Sequence, residues 1–273
     1  MVKTLEIGRV ALSVNDLGKV ADWYQSHVGL HLLSREGEVA RLGVGDEVLV
    51  ELRQDKKARR RSPREAGLFH TAFLLPERAD LGRWVIDASH RRLEVEGLSD
   101  HHVSEAIYLS DPEGTGVEIY VDRPESEWKR GPKGKVQMTS EALDVQDLAA
   151  SGLAGKWHGV PEGTKVGHVH LQVGDVARAE AFYRDGLGLD LTCSYPGAAF
   201  FAADGYHHHL AANIWNSRGA GPRDFPSTGL VGVEVKLAPE RLAALKTGFG
   251  IAAEGNEFTL ADPWGTPLAL SLI

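Results

Sequence analysis

The chain holds twelve histidines in 273 residues, and the chemistry it can perform starts from where some of them stand. His70 and His168 occupy the same place in two similar stretches, LFHTAFLLPERADL (68–81) and GHVHLQVGDV (167–176). Glu118 follows His70 in a later apolar run, GVEIYV. Two imidazoles and one carboxylate, each on a rigid strand, suit a divalent metal that keeps open coordination positions. The 2-His-1-carboxylate set is typical of Fe(II), and Mn(II) suits the same N/O donors. A +2 ion beside one carboxylate leaves a net charge of about +1 for an anionic substrate. His170 shares a strand face with His168 and is either its supporting partner or the ligand itself; the alignment with His70 favours His168. A further run, His207-His208-His209, precedes the apolar Leu-Ala-Ala, which argues against a surface metal-scavenging tract.

The elements that position these residues recur. Four segments open with an apolar strand: GRVALSVNDL (8–17), the two above, and LVGVEVKLAPERL (230–242). Helical stretches follow at Gly18–Tyr24, Leu81–Arg91, Ala177–Asp185 and Pro239–Leu245, and then short alternating runs that read as strands. In the first and third segments an Asp precedes the helix and can accept from its free N–H groups, a Tyr lies on the buried face, and a Gly ends it. The expected fold is α+β: four βαβββ modules forming two cup-shaped mixed-sheet halves. The expected boundaries are an N-terminal half at 1–122 (modules about 1–60 and 66–122), a linker at 123–165 rich in Gly, Pro and charge, and a C-terminal half at 166–273 (modules about 166–219 and 228–273). At the ligand place of the opening strand stand Arg9, His70, His168 and Gly232; on the last strand stand Glu51, Glu118, Asn213 and Ala269. Modules one and four therefore lack a ligand set.

Composition excludes several classes. Apolar residues are 42% and charged residues 25%, which is ordinary for a globular protein. The single cysteine, Cys193, rules out an intrachain disulfide framework and reads as a small buried residue. No apolar run is long enough for a membrane span and the N-terminus has no signal-peptide core, so a cytoplasmic protein is expected. A net charge of −8 argues against nucleic-acid binding. The basic run Lys56–Arg64 lacks interleaved aromatics and reads as a solvated loop.

One motif is more specific: His101-x5-Ile107-Tyr108-x2-Asp111-Pro112-x-Gly114-x3-Glu118. With the repeat order and phrases such as GYHHHLAANIW, it resembles the vicinal oxygen chelate superfamily, and within it the extradiol ring-cleaving dioxygenases of the catechol 2,3-dioxygenase type. Ser99 departs from that signature. The resemblance implies a Fe(II) enzyme of aromatic catabolism that takes a small aromatic diol and O2, with no nucleic-acid or membrane partner and a homo-oligomer plausible. It implies His70, His168 and Glu118 as ligands, Tyr108 bonding to substrate and ligand oxygens, and His101 supporting or touching substrate. It also implies an acid–base histidine on the last strand of the third module; alternation back from Asn213 selects His209, then His207. Most two-domain relatives carry the signature in the fourth module, whereas here it lies in the second. A competent site therefore requires module two to face module three. Competing expectations are a hydroquinone-cleaving dioxygenase, a glyoxalase-like metal isomerase, and a non-catalytic ligand-binding protein.

Overall fold

The computed structural model describes residues 3–251 and 255–273. The first module is β1 (Leu5–Val14), α1 (Leu17–Trp23), β2 (His31–Glu36), β3 (Val39–Val44) and β4 (Glu47–Gln54). The second is β5 (Gly67–Leu74), α2 (Arg78–Arg91), β6 (Gly97–Asp100), β7 (Ser104–Ser110) and β8 (Gly116–Asp122). A short helix, α3 (Val145–Ser151), lies in the connection to the third module: β9 (Lys165–Gln172), α4 (Val176–Glu180), β10 (Asp190–Tyr195), β11 (Ala198–Ala202) and β12 (Leu210–Asn213). The fourth is β13 (Gly229–Leu237), α5 (Pro239–Gly248), β14 (Glu257–Ala261) and β15 (Pro267–Leu272). Among the described residues this last module has two strands after its helix where the repeat predicts three; residues 252–254 lie outside the described residues.

The local signals act as the sequence implies. Asp16 and Asp175 accept from the backbone N–H of Lys19 and Arg178, which starts α1 and α4. Tyr24 and Tyr183 are fully buried beneath them. Both helices then loosen into one π-helical segment, at Tyr24–Val28 and Ala181–Gly186. Among the described residues no helix is long and apolar enough to cross a membrane.

Sheet topology departs from chain order. One sheet has seven strands in the order β14-β15-β13-β1-β4-β3-β2, and the other has eight in the order β10-β11-β12-β9-β5-β8-β7-β6. Each sheet takes one module from either side of the 123–165 connection: modules one and four build the first, modules two and three the second. The antiparallel β5–β9 pair is the seam of the eight-stranded sheet. Leu, Val and Ile side chains of both sheets, with Trp84, Phe73 and Phe201, form one continuous core between sheets and helices. The connection also closes the eight-stranded cup. Asp100 and Glu141 exchange backbone hydrogen bonds at the β6 edge, and Val136 donates to Thr192 at the β10 edge. A strap at 136–141 thus ties one edge of the sheet to the other.

Candidate active site

Register brings the ligand-type residues together. Across the eight-stranded sheet Tyr108 pairs with Glu118, Glu118 with Ala72, and Ala72 with His168. This row crosses four strands, and His70 stands two residues before Ala72, on the same face. With strands about 4.8 Å apart, the Glu118 and His168 backbones are separated by roughly 10 Å. Their side chains meet above Ala72, whose methyl leaves the room. Glu118 Oε2 lies 3.0 Å from His70 Nε2 and 3.2 Å from His168 Nε2. One ligand atom from each of the three falls within 4.8 Å of the others, and all three residues are buried.

The protonation states suit a metal. Burial alone would raise Glu118; the adjacent His168 and His70 rings outweigh it and hold the carboxyl well below its ordinary value. Burial lowers His168 to about 4 despite the attraction of Glu118. Near neutral pH the site therefore offers a carboxylate and an unprotonated imidazole, as metal ligation requires. His70 Nε2 is buried and makes no hydrogen bond, although it faces the carboxylate. A buried imidazole nitrogen left without a hydrogen bond beside a buried carboxylate fits a divalent cation.

The cluster sits in a cavity of about 690 Å³ between the sheet and the 136–141 strap, with Met138, Thr139 and Ser140 in its wall. His101 lines the cavity and bonds through Nδ1 to the Thr139 carbonyl at 2.6 Å and through Nε2 to the Tyr108 hydroxyl at 2.7 Å. A carbonyl only accepts, so Nδ1 carries the proton, and in the neutral ring Tyr108 donates to Nε2. Burial, then the negative charge of Glu118, raises Tyr108 well above its ordinary value, so it stays a phenol. His170 does not join the cluster: its Nε2 lies 3.0 Å from Asn213 Nδ2, and its ring rests against Phe69 and Trp215.

The histidine run corrects a sequence expectation. His208, not His209 or His207, lines the cavity of the His70–Glu118–His168 cluster, with its ring centroid 4.0 Å from that of His168. His209 lines a separate cavity of about 230 Å³ with Lys165, Asp204 and Tyr206. His207 is fully buried and bonded to Asp122. The cause is local. Asp204 and Gly205 take positive φ angles (59° and 74°), and β12 begins only at Leu210. The two-residue alternation counted back from Asn213 therefore ends before the histidines.

A part-buried hydrogen-bond chain supports His208, and no sequence motif points to it. Asp122 accepts from His207 Nε2 at 2.8 Å and from the Tyr206 hydroxyl at 3.0 Å; Tyr120 lies 2.8 Å from Tyr206. With its Nε2–H committed to Asp122, a neutral His207 presents Nδ1 as an acceptor to His208 Nδ1–H at 2.7 Å. The His208 lone pair is then on Nε2. Burial, then the neighbouring histidines, lowers His208 well below its ordinary value, so it is neutral near neutral pH. Gly167 admits the chain: a Cβ there would lie 1.8 Å from the Tyr120 hydroxyl.

Comparisons with known proteins place the chain in a family and a fold. The family model of the Glyoxalase/Bleomycin resistance protein/Dioxygenase superfamily matches residues 6–119 and 165–265. The chain is 36% identical to a catechol-2,3-dioxygenase of Bacillus subtilis (strain 168), over 94% of this chain and 93% of that protein. It is 26% identical to a biphenyl-2,3-diol 1,2-dioxygenase 3 of Rhodococcus globerulus, over 45% of this chain and 66% of that one. Among solved structures, a putative dioxygenase from Bacillus subtilis superposes with a TM-score of 0.63 at 10% identity, covering 100% of this chain and 86% of that one. Glyoxalase I from Zea mays superposes at 0.57 and 16% identity, covering 98% and 92%. At these identities the structural matches speak to the fold alone.

Proposed function

The chain belongs to the glyoxalase/bleomycin resistance protein/dioxygenase superfamily, and on that premise we propose that it is a Fe(II)-dependent extradiol dioxygenase. It would insert both atoms of O2 into a catechol-type aromatic diol and open the ring beside the hydroxyls to a muconic semialdehyde. The observation that carries this reading is the meeting of two imidazoles and one carboxylate in a cavity that also holds the Tyr108–His101 pair.

In this reading His70, Glu118 and His168 hold the metal. Bound there, Fe(II) supplies the electron route between an electron-rich diol and O2, for which closed-shell aromatic and triplet oxygen have no direct path. The residues of this chain do the rest. His208, neutral and with its lone pair on Nε2, takes a hydroxyl proton from the diol and returns one to the developing product oxygen. Asp122 and His207 keep it in that tautomer. Tyr108, held as a phenol against His101, positions a substrate oxygen. Phe69, Phe200 and Trp215 supply ring faces for an aromatic substrate. The strap at 136–141 restricts water.

The test is direct. Protein loaded anaerobically with Fe(II) and given catechol should, on admission of air, consume one O2 per diol and form a yellow ring-fission product. Cleavage of hydroquinones in preference to catechols would redirect the reading to the para-diol reaction. Iron binding without O2 uptake on either class of diol would remove the dioxygenase reading.

A further inference from the structure

The cavity extends past the ligand cluster to Arg61, a residue that ring cleavage does not use. In the basic run Lys56–Arg64, Arg59 pairs with Glu65 at 2.6 Å and Arg60 with Glu113 at 2.9 Å. Arg61 is different. It lines the cavity, makes no ion pair among the described residues, and reaches only Gln172 Oε1 at 3.4 Å and the Gly114 carbonyl at 3.3 Å. Asp111 and Glu65 act on it through space without pairing. Beside it, Arg223 is 8% exposed and stacks on the Phe225 ring; its Nη2 donates to the Leu230 carbonyl, while Nε and Nη1 have no hydrogen-bond partner among the described residues. The two side chains are close: a Cβ on Gly229 would lie 2.7 Å from Arg61 Cδ and 3.1 Å from Arg223 Nη1. Burial, then the charge of Arg61, pushes Arg223 down to about 10. Two guanidiniums side by side, one buried and one partly exposed, with few acceptors between them, favour an anion that joins them.

Their position relative to the ligands is set by the strands. His168, His170 and Gln172 alternate along one face of β9 and all line the cavity. Gln172 lies four residues beyond His168, about 13 Å of strand, and two beyond His170, the partner of His70, about 7 Å, so the arginine end is set back from the ligands by that range. The wall between them includes Phe69, His170 and Trp215. A single aromatic ring bound at the ligands does not span that distance; a ring with a side chain does.

We propose that Arg61, backed by Arg223, is an anion subsite, and that the substrate is an aromatic diol carrying a carboxylate on a side chain that reaches it. The planar guanidinium fork matches a carboxylate with two parallel hydrogen bonds. The inference rests on the ring-cleavage reading for the diol end but not for the acid end.

The experiment uses two catechols of one shape, one with a propionate side chain and one with the neutral propyl group, on the Fe(II)-loaded protein. The acid should show a KM about tenfold lower, as a charge-assisted pair implies. Arg61→Met and Arg61→Gln should bring the ratio of the two KM values to near one, and Arg61→Lys should keep part of the preference. Independently of iron, calorimetry on the metal-free protein with 3-phenylpropionate should give binding that weakens with salt and disappears in Arg61→Met. If both diols are cleaved with equal KM, or the preference survives in Arg61→Met and Arg61→Gln, the subsite is wrong and ring cleavage stands. If neither diol is consumed with iron bound, ring cleavage fails, and the phenylpropionate titration alone decides the subsite: binding lost in Arg61→Met supports it, and no binding overturns it.

Discussion

In the seven-stranded sheet Glu51 holds the register place that Glu118 holds in the eight-stranded one. The first row reads Arg41–Glu51–Ala11–Gly232, with Arg9 two residues before Ala11. The second reads Tyr108–Glu118–Ala72–His168, with His70 two residues before Ala72. Both carboxylates are buried. Around Glu51 the chain supplies its own cations: Arg53 at 2.6 Å, Arg41 at 2.9 Å and Arg9 at 3.6 Å. Burial would raise Glu51, but its bonds to Arg53 and Arg41 bring it below its ordinary value. Around Glu118 the places of Arg9, Arg41 and Arg53 hold His70, Tyr108 and Tyr120, and His168 stands where Gly232 stands beside Glu51. One scaffold thus surrounds a buried carboxylate in two ways. Guanidiniums make it a closed structural ion pair, and rings with free lone pairs leave its charge for an external cation.

The largest difference should appear on removing each carboxylate. Glu118→Gln should lose iron on dialysis, with affinity down at least about 100-fold and turnover abolished. Glu51→Gln should keep its iron and lose about 1–3 kcal/mol of stability, since its three arginines are partly exposed and rehydrate. Metal analysis and denaturant melts separate the two; equal iron loss from both variants would erase the distinction between the rows. Next, His208→Ala should keep iron and lose about 10²–10⁴ in kcat, whereas His209→Ala, in the other cavity, should stay within a few-fold of wild type. The reverse ranking would restore the alternation that the turn at Asp204–Gly205 interrupts.

The small residue at the centre of each row is a finer probe. Ala72→Val places a branched side chain where Glu118 and His168 meet and should weaken iron about tenfold, with about 1–3 kcal/mol of overpacking. Ala11→Val should show the stability cost without the metal effect; a metal-content assay on both tests this. The smallest expected effect is on acid stability of the metal-free protein. His168 at about 4 and His209 at about 3 lie below the ordinary histidine value, so the unfolded chain takes up protons first. Stability should be full above about pH 6.5 and fall progressively as pH drops through 4 and 3, with His168 contributing on the order of 3 kcal/mol. Denaturant midpoints that are flat over that range would show these rings to be better hydrated than their burial implies.

Much of this architecture was readable beforehand because it rests on local chemistry. Asp16 and Asp175 announce helix starts, and alternating runs announce strands. Equivalence between repeats singles out His70, His168 and Glu118. The partnering of modules two and three was not legible in that way. It depends on the β5–β9 seam, a long-range contact that no local pattern encodes, and only the needs of a three-residue site pointed to it. In the histidine run, alternation from Asn213 does not hold, because β12 begins only at Leu210. The sequence does not single out Asp122, Tyr206 and Thr139, because their importance lies in what they bond across the sheet. Arg61 read as solvated because adjacent arginines in one loop differ only in what they face.

The two rows also give the most direct measurement. Crystals soaked anaerobically with Fe(II) and recorded at the iron absorption edge should show one strong anomalous peak per chain, within coordination distance of His70 Nε2, His168 Nε2 and Glu118 Oε2, and none beside Glu51. A peak at Glu51, or iron that binds without touching all three of those side chains, would contradict the account.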